Sequence, residues 1–296
     1  MKLVTKFNAV ILVVFLVGLS ITAWITWSIL QANARTEIVE RAGLMMEAAL
    51  STRSYTIKEI APLLRPHMED TFLPQTVPAY AATQAFEFLR AQHGEYSYKE
   101  ATLNPTNPRD RAADWESDII SAFRNSDTLT EVVGERQTPT GPSLYLARPI
   151  RITNPNCLTC HSTPDAAPKA MLASYGSANG FGWQLNEVIG AQVVSVPMDV
   201  PIAQAKRAFI TFISTLIGVF LAIIVALNVM LRRIVINPVT RMAEIANNVS
   251  KGEPNTPEFD SAGNDEITVL AESFTRMRRS LDKAINMLRK PRTVKG

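Results

Sequence analysis

The stretch "NPNCLTCHSTPDAAP", Asn154 to Pro168, holds both cysteines of the 296-residue chain, Cys157 and Cys160, and places His161 directly after the second. C-x-x-C-H is the spacing of a c-type haem attachment site. Two thiols two residues apart reach the vinyl groups on one edge of a porphyrin and form thioether bonds. The next imidazole is carried under the ring, where it binds iron as the proximal ligand. Three other readings compete. A thioredoxin-like C-x-x-C follows a strand and opens a helix, whereas this stretch is flanked by Pro155 and Pro164 and enters no obvious helix. Zinc takes about four ligands, and neither His67 nor His93 has ligand spacing to the motif. A disulfide across two intervening residues would be strained. Haem c uses all three side chains: Cys157 and Cys160 for the thioethers, His161 for the iron.

Outward from the motif, the chain is organised by where charge is missing. No charged side chain occurs between Lys6 and Arg35 or between Arg207 and Arg232. Each apolar run is long enough to cross a hydrocarbon core of about 30 Å as a helix. We read residues 1–34 as an N-terminal segment with its span at 7–30, and residues 208–231 as a second span. A cleaved signal peptide is the alternative for the first, with "ANA" at 32–34 as its cleavage site, but the apolar run is longer than a signal core of about 7–15 residues. Lys+Arg 30 against Asp+Glu 27, a net charge of +3, gives no indication of a nucleic-acid partner. Arg232, Arg233 and Arg241 favour a cytoplasmic C-terminus. Covalent haem attachment takes place outside the bacterial cytoplasmic membrane, which makes residues 35–207 periplasmic in an inner-membrane protein.

The soluble part reads as α+β. "RTEIVERAGLMMEAALSTRSYTIKEIAPLL" continues the first span as a helix. Val77 to Gln92 is a helix with Pro78 in its first turn, where proline is tolerated. Tyr96 to Leu103 alternates like a strand, "NPTNPRD" breaks the chain, and "RAADWESDIISAFR" returns to helical spacing. Ser143–Ile152 and Glu187–Met198 are the strongest strands.

In the tail, Ile267, Leu270, Phe274, Met277, Leu281, Ala284 and Leu288 step by threes and fours, a heptad seam. Val235, Val239, Met242, Ala246 and Val249 do the same upstream. A linker containing Gly252, Pro254 and Pro257 joins them. Two such helices need a partner, and as a homodimer they give a parallel four-helix bundle. With Pro238 soon after the span, Glu244, Gly252 and Asp265-Glu266, residues 232–289 resemble a HAMP module, followed by a basic tail at 290–296. The resemblance implies a converter between a membrane helix and a cytoplasmic output.

The soluble part resembles a family of haem c sensor domains with a PAS-like fold, long catalogued as a domain of unknown function. The matching stretches are "MMEAALSTRSYT", "FLPQTVPAYAA", "YSYKEATLNPTNPRDRAADWE", "YLARPIRITNPNCLTCHSTPDAAP", "YGSANGFGW" and "GAQVVSVPM". The resemblance implies a PAS-like core with one covalent haem, set in front of signalling modules. A relative of known structure is thought to use cysteine as distal ligand. This chain has no third cysteine, so that ligand does not carry over.

For the second axial position the expected donors are Met46 and Met45 in the first long helix, with small Ala42 and Ala49 a turn to either side. Ordinary core filling is the alternative for both. Arg53, two turns beyond, is the candidate for pairing with a haem propionate. His93 and then His67 are weaker candidates, and a five-coordinate haem leaves room for a gas. Phe181 and Trp183 could wall the haem or form a plain turn.

The whole reads as a membrane-bound haem c sensor of redox state or a diatomic gas, passing shifts of about 1–2 Å through HAMP. The seam is soon followed by "RKPRTVKG", which leaves the output to a separate cytoplasmic signalling protein or to a longer tail. A membrane-anchored monohaem cytochrome for electron transfer is the alternative. No acid–base constellation supports an enzyme.

Overall fold

In the computed structural model, which describes residues 3–64, 66, 71–251, 257 and 263–289, the first apolar run and the segment after it form one helix, α1 (Leu3–Tyr55). No proline interrupts that stretch. His67, Gly252 and the basic tail lie outside the described residues. The other helices are α2 (Ala61–Leu64), α3 (Pro78–Gln92), α4 (Asp114–Arg124), the single turn α5 (Leu158–His161), α6 (Lys169–Tyr175), α7 (Asp199–Leu231), α8 (Asn237–Ser250) and α9 (Glu266–Arg289). The strands are β1 (Ser97–Thr102), β2 (Val132–Thr138), β3 (Gly141–Arg151) and β4 (Val188–Pro197). A π-helical turn at Thr56–Ile60 precedes Pro62, and another at Arg232–Ile236 precedes Pro238. Proline cannot donate to the i−4 carbonyl and its ring crowds it, so the helix widens just ahead.

Contacts divide the chain into Thr22–Ile210 and Met1–Ile21 with Thr211–Gly296. In the first unit the four strands form an antiparallel sheet in the order β1-β4-β3-β2. Tyr98 pairs with Val194, and Leu146 pairs with the same Val194 from the other side. β4 is central, which explains its nearly unbroken apolar sequence: both faces are covered. On one face Leu144, Leu146, Val194 and Val196 pack against Ile38, Ala42, Met46 and Ala49 of α1 and Phe86 of α3. On the other, Ala101, Ala147, Ala191 and Val193 pack against Ile119, Ile120 and Phe123 of α4. Glu116 starts α4 by accepting from the Ala113 N–H at 2.8 Å and from Lys99 at 2.6 Å.

Two details depart from the sequence reading. β2, "VVGERQT", was not expected; its Gly134 and its polar Glu135, Arg136 and Gln137 mask the strand, which is an edge pairing only with β3. The chain after β4 turns into helix at Asp199, ahead of the apolar run, with Pro201 in the first turn.

In the second unit, parts of α1 and α7 carry side chains such as Val10, Val14, Leu221 and Val225 in exposed positions. Both helices are long and apolar enough to cross a membrane. They meet through a reciprocal amide pair, in which Asn8 and Asn228 each donate to the other at 2.9 Å. Phe15 and Phe220 stack at 3.4 Å between centroids. Beyond them, Met242 and Ile245 of α8 pack with Ala271, Ile267 and Phe274 of α9. Ile245, rather than the expected Ala246, is the buried residue there, because the larger side chain takes the interface. Asp265 caps α9, accepting from the Thr268 N–H and hydroxyl, both at 2.8 Å.

Candidate functional site

The segment between β3 and β4 leaves and rejoins the sheet through a closed base: Ile152 donates to Glu187 O at 2.9 Å, and Asn186 donates to Ile152 O at 2.8 Å. At its start the Asn154 side chain accepts from the Asn156 N–H at 2.9 Å. Pro155 takes the first position of a short 3-10 turn, where its missing N–H costs nothing. Cys157 closes that turn and Leu158–His161 makes one helical turn. The motif therefore does enter a helix, but only for one turn, after which Pro164 redirects the chain. Neither cysteine is in a disulfide, and both are half-buried. Burial pushes the Cys157 thiol up, and the Arg53 charge pulls against it.

His161 is held on several sides. Its Nδ1 lies 2.7 Å from the Gly180 carbonyl and 3.5 Å from Thr106 Oγ1. The carbonyl can only accept, so Nδ1 carries the proton and Nε2 keeps its lone pair. Trp183 stacks on the imidazole with centroids 3.9 Å apart and planes 15° apart. Burial holds the imidazole below its usual pKa, with the Gly180 hydrogen bond opposing, which favours the neutral ring.

Arg53 arrives from α1 and lies near enough to Cys157 for its charge to be felt at the thiol. Its Nη1 donates to both carboxylate oxygens of Glu100. Tyr98 donates to Glu100 at 2.8 Å, and Gln192 donates to the Tyr98 hydroxyl at 3.2 Å. Burial and the Glu100 charge raise the Tyr98 hydroxyl pKa. This network lies on the α1 face of the sheet because Tyr98, Glu100 and Gln192 alternate with residues of the α4 face.

The structure thus brings Arg53, Cys157, Cys160 and His161 into one region. Met46 sits elsewhere in its packing. It is wholly buried among Leu144, Leu146, Val194 and Val196, with Met45 at the edge, in a cluster that includes no residue of the 154–186 segment. Its burial is accounted for by core filling. His93 ends α3 in an exposed position, its ring edge-on to Tyr96. No three His, Cys, Asp or Glu side chains among the described residues could together hold a metal ion. A hollow of about 390 Å³ lined by Trp115, Ile119, Arg136 and Tyr145 opens on the α4 side and includes none of the residues above. Sequence reasoning missed Glu100, Asn104, Thr106 and Gly180. The only signals were the "LNPTNP" break and the glycines of "NGFGW".

A family profile described as Tll0287-like matches residues 31–197. The chain belongs to the Tll0287-like family. A HAMP domain profile matches residues 223–283. Over 215 residues the chain is 27% identical to the methyl-accepting chemotaxis protein McpP of Pseudomonas putida, covering 69% of this chain and 35% of that protein. The chain therefore spans about a third of that relative's length. The crystal structure of the cyanobacterial haem protein Tll0287 aligns with a TM-score of 0.43 at 17% identity, covering 54% of this chain and 95% of that one. A Tll0287-like domain, membrane-length helices and a HAMP domain together form the organisation of a membrane sensor that signals through HAMP.

Proposed function

We propose that the Tll0287-like domain holds one covalent haem c and that the protein senses redox state or a diatomic gas. The observation that carries this reading is the His161 arrangement: a neutral imidazole with Nδ1 committed to Gly180 and Nε2 available, in a turn with two half-buried cysteines that form no disulfide. That donor set fits a haem attachment site. Cys157 and Cys160 form the thioethers, and His161 binds the iron through Nε2. Arg53, steadied by Glu100, offers its remaining N–H groups to a propionate. Met46, with Met45 beside it, is the α1 donor proposed for the second coordination position, which Met46 would reach only by leaving the core packing it has here. When bound, the haem supplies a one-electron couple and an axial position open to exchange.

In this reading residues 35–207 face the periplasm of a bacterial inner-membrane protein and residues 232–289 face the cytoplasm. The HAMP domain pairs with a second copy and presents a surface to a separate signalling protein. A simple electron carrier would leave the HAMP domain without a use. The test is the mass and pyridine haemochrome spectrum of the full chain, made in a host that assembles c-type cytochromes. One haem per chain, lost in Cys157→Ser with Cys160→Ser, is expected; the bare polypeptide mass would refute the reading. Redox titration and exposure to CO and NO then separate the stimuli.

A further inference from the structure

We propose that Gly180, clamped by Asn104, is the positioning residue for His161. Its carbonyl fixes the Nδ1–H tautomer and the ring orientation, so that Nε2 is the nitrogen presented to a metal. The identity of that metal rests on the haem reading above. The tautomer is a property of the polypeptide.

The carbonyl can occupy its place only because residue 180 is glycine. Its φ is +81°, in the region that favours glycine. A Cβ there would lie 2.0 Å from Thr106 Oγ1 and 3.0 Å from Thr106 Cα. The hydroxyl can rotate away, but the backbone atom cannot. Asn104 then grips the peptide from both sides: its Oδ1 accepts from the Gly180 N–H at 3.2 Å, and its Nδ2 donates to Phe181 O at 3.4 Å. The strap is tied back to the helical turn, with Gly182 donating to Ser162 O at 2.9 Å and Trp183 donating to His161 O at 3.2 Å. The imidazole is therefore fixed at its edge by Gly180, on its face by Trp183, and along its backbone by the strap. These groups come from the loop after β1, the turn α5 and the loop before β4.

A ligating histidine that donates its second N–H to a carbonyl is a more basic and better oriented ligand, and loss of such a partner typically weakens metal binding by about 10–100-fold. The same bond favours the more oxidised metal, so removing it should move the midpoint potential upward. Neither Asn104 nor Gly180 touches the metal in this scheme; both act through His161.

The experiment uses the full chain in detergent with Asn104→Ala, Gly180→Ala and the conservative Asn104→Asp. Ring-¹⁵N NMR is recorded in the Cys157→Ser, Cys160→Ser background, which cannot form the thioethers. The parent should show the Nδ1–H tautomer, and Asn104→Ala and Gly180→Ala a mixture. Asn104→Asp keeps an acceptor for the Gly180 N–H and should lie closer to the parent. In haem-loaded protein the first two variants should raise the midpoint potential. An unchanged tautomer in Asn104→Ala overturns the proposal, and this arm decides even if Gly180→Ala fails to fold. A changed tautomer in that background, together with a bare polypeptide mass for the chain that keeps both cysteines, would uphold the positioning role and refute the haem reading.

Discussion

In the Tll0287-like domain, Leu144, Val194 and Phe123 are covered by helices of the same chain. In the HAMP domain, Leu270, Met277 and Leu281 of α9 remain 41%, 59% and 46% exposed. The sheet domain closes its core within one polypeptide because two layers of helix flank a four-stranded sheet. The helix pair after α7 buries one stripe, at Met242, Ile245, Ala271 and Phe274, and leaves Leu270, Met277 and Leu281 uncovered. The first region can hold a site by itself. The second needs another surface, and the second copy proposed above supplies it.

The hardest test of this self-sufficiency is the Arg53–Glu100 pair, whose side chains are 22% and 5% exposed. Glu100→Leu leaves the guanidinium buried without its anion. It should cost about 3–5 kcal/mol, read as a lower urea midpoint of the sheet domain by tryptophan fluorescence, with the HAMP helices unchanged in far-UV dichroism. A stability near the parent's would show that the site does not share its framework with the core.

Asp110 gives a pH signature confined to the same domain. Burial pushes its carboxyl up to about 6, against the opposing pull of Arg109 3.6 Å away. A folded-state pKa above the unfolded value means a contribution that is full below about pH 4 and lost as pH rises to about 6. At about 1.4 kcal/mol per unit the loss is at most about 3 kcal/mol. Asp110→Asn should flatten stability across that window.

On the other side of the comparison, Leu281→Glu should weaken self-association of the full chain by about 1.5–3 kcal/mol, the worth of one buried leucine. Sedimentation would report it, while the fold of the sheet domain stays intact. Loss of the sheet domain instead would break the comparison. The smallest effect is expected in the spans. Asn8→Leu removes the reciprocal amide pair with Asn228 and should cost about 0.6–1.7 kcal/mol, measurable by unfolding in mixed SDS micelles. Replacing both asparagines should cost little more than replacing one, since either change already breaks the pair.

Much of this was legible locally. The sequence placed the start of α3 at Val77, which is its N-cap, and Pro78 is the first helical residue, because proline fits a first helical turn. The charge-free runs marked α1 and α7, and the apolar sequence of Glu187–Met198 announced a strand, whose central place only the sheet revealed. β2 was hidden because an edge strand needs few apolar side chains. Arg53 was singled out as a propionate partner, but neither its place beside Cys157 nor its partner Glu100 was foreseen. A charge at alternate spacing on a strand looks solvent-facing until a helix is laid over it. Met46 drew notice as a possible donor, yet its surroundings are those of a core side chain.

The residues alone determined which atoms could react: two thiols, one imidazole, and apolar runs of membrane length, all set by composition and spacing along the chain. Only the tertiary structure decided which nitrogen of His161 is available. That choice depends on a carbonyl from Gly180 and an amide from Asn104, brought together by the pairing of β1 with β4. Hydrogen bonds between distant segments leave no periodic trace in sequence, because their geometry exists only once the sheet has formed.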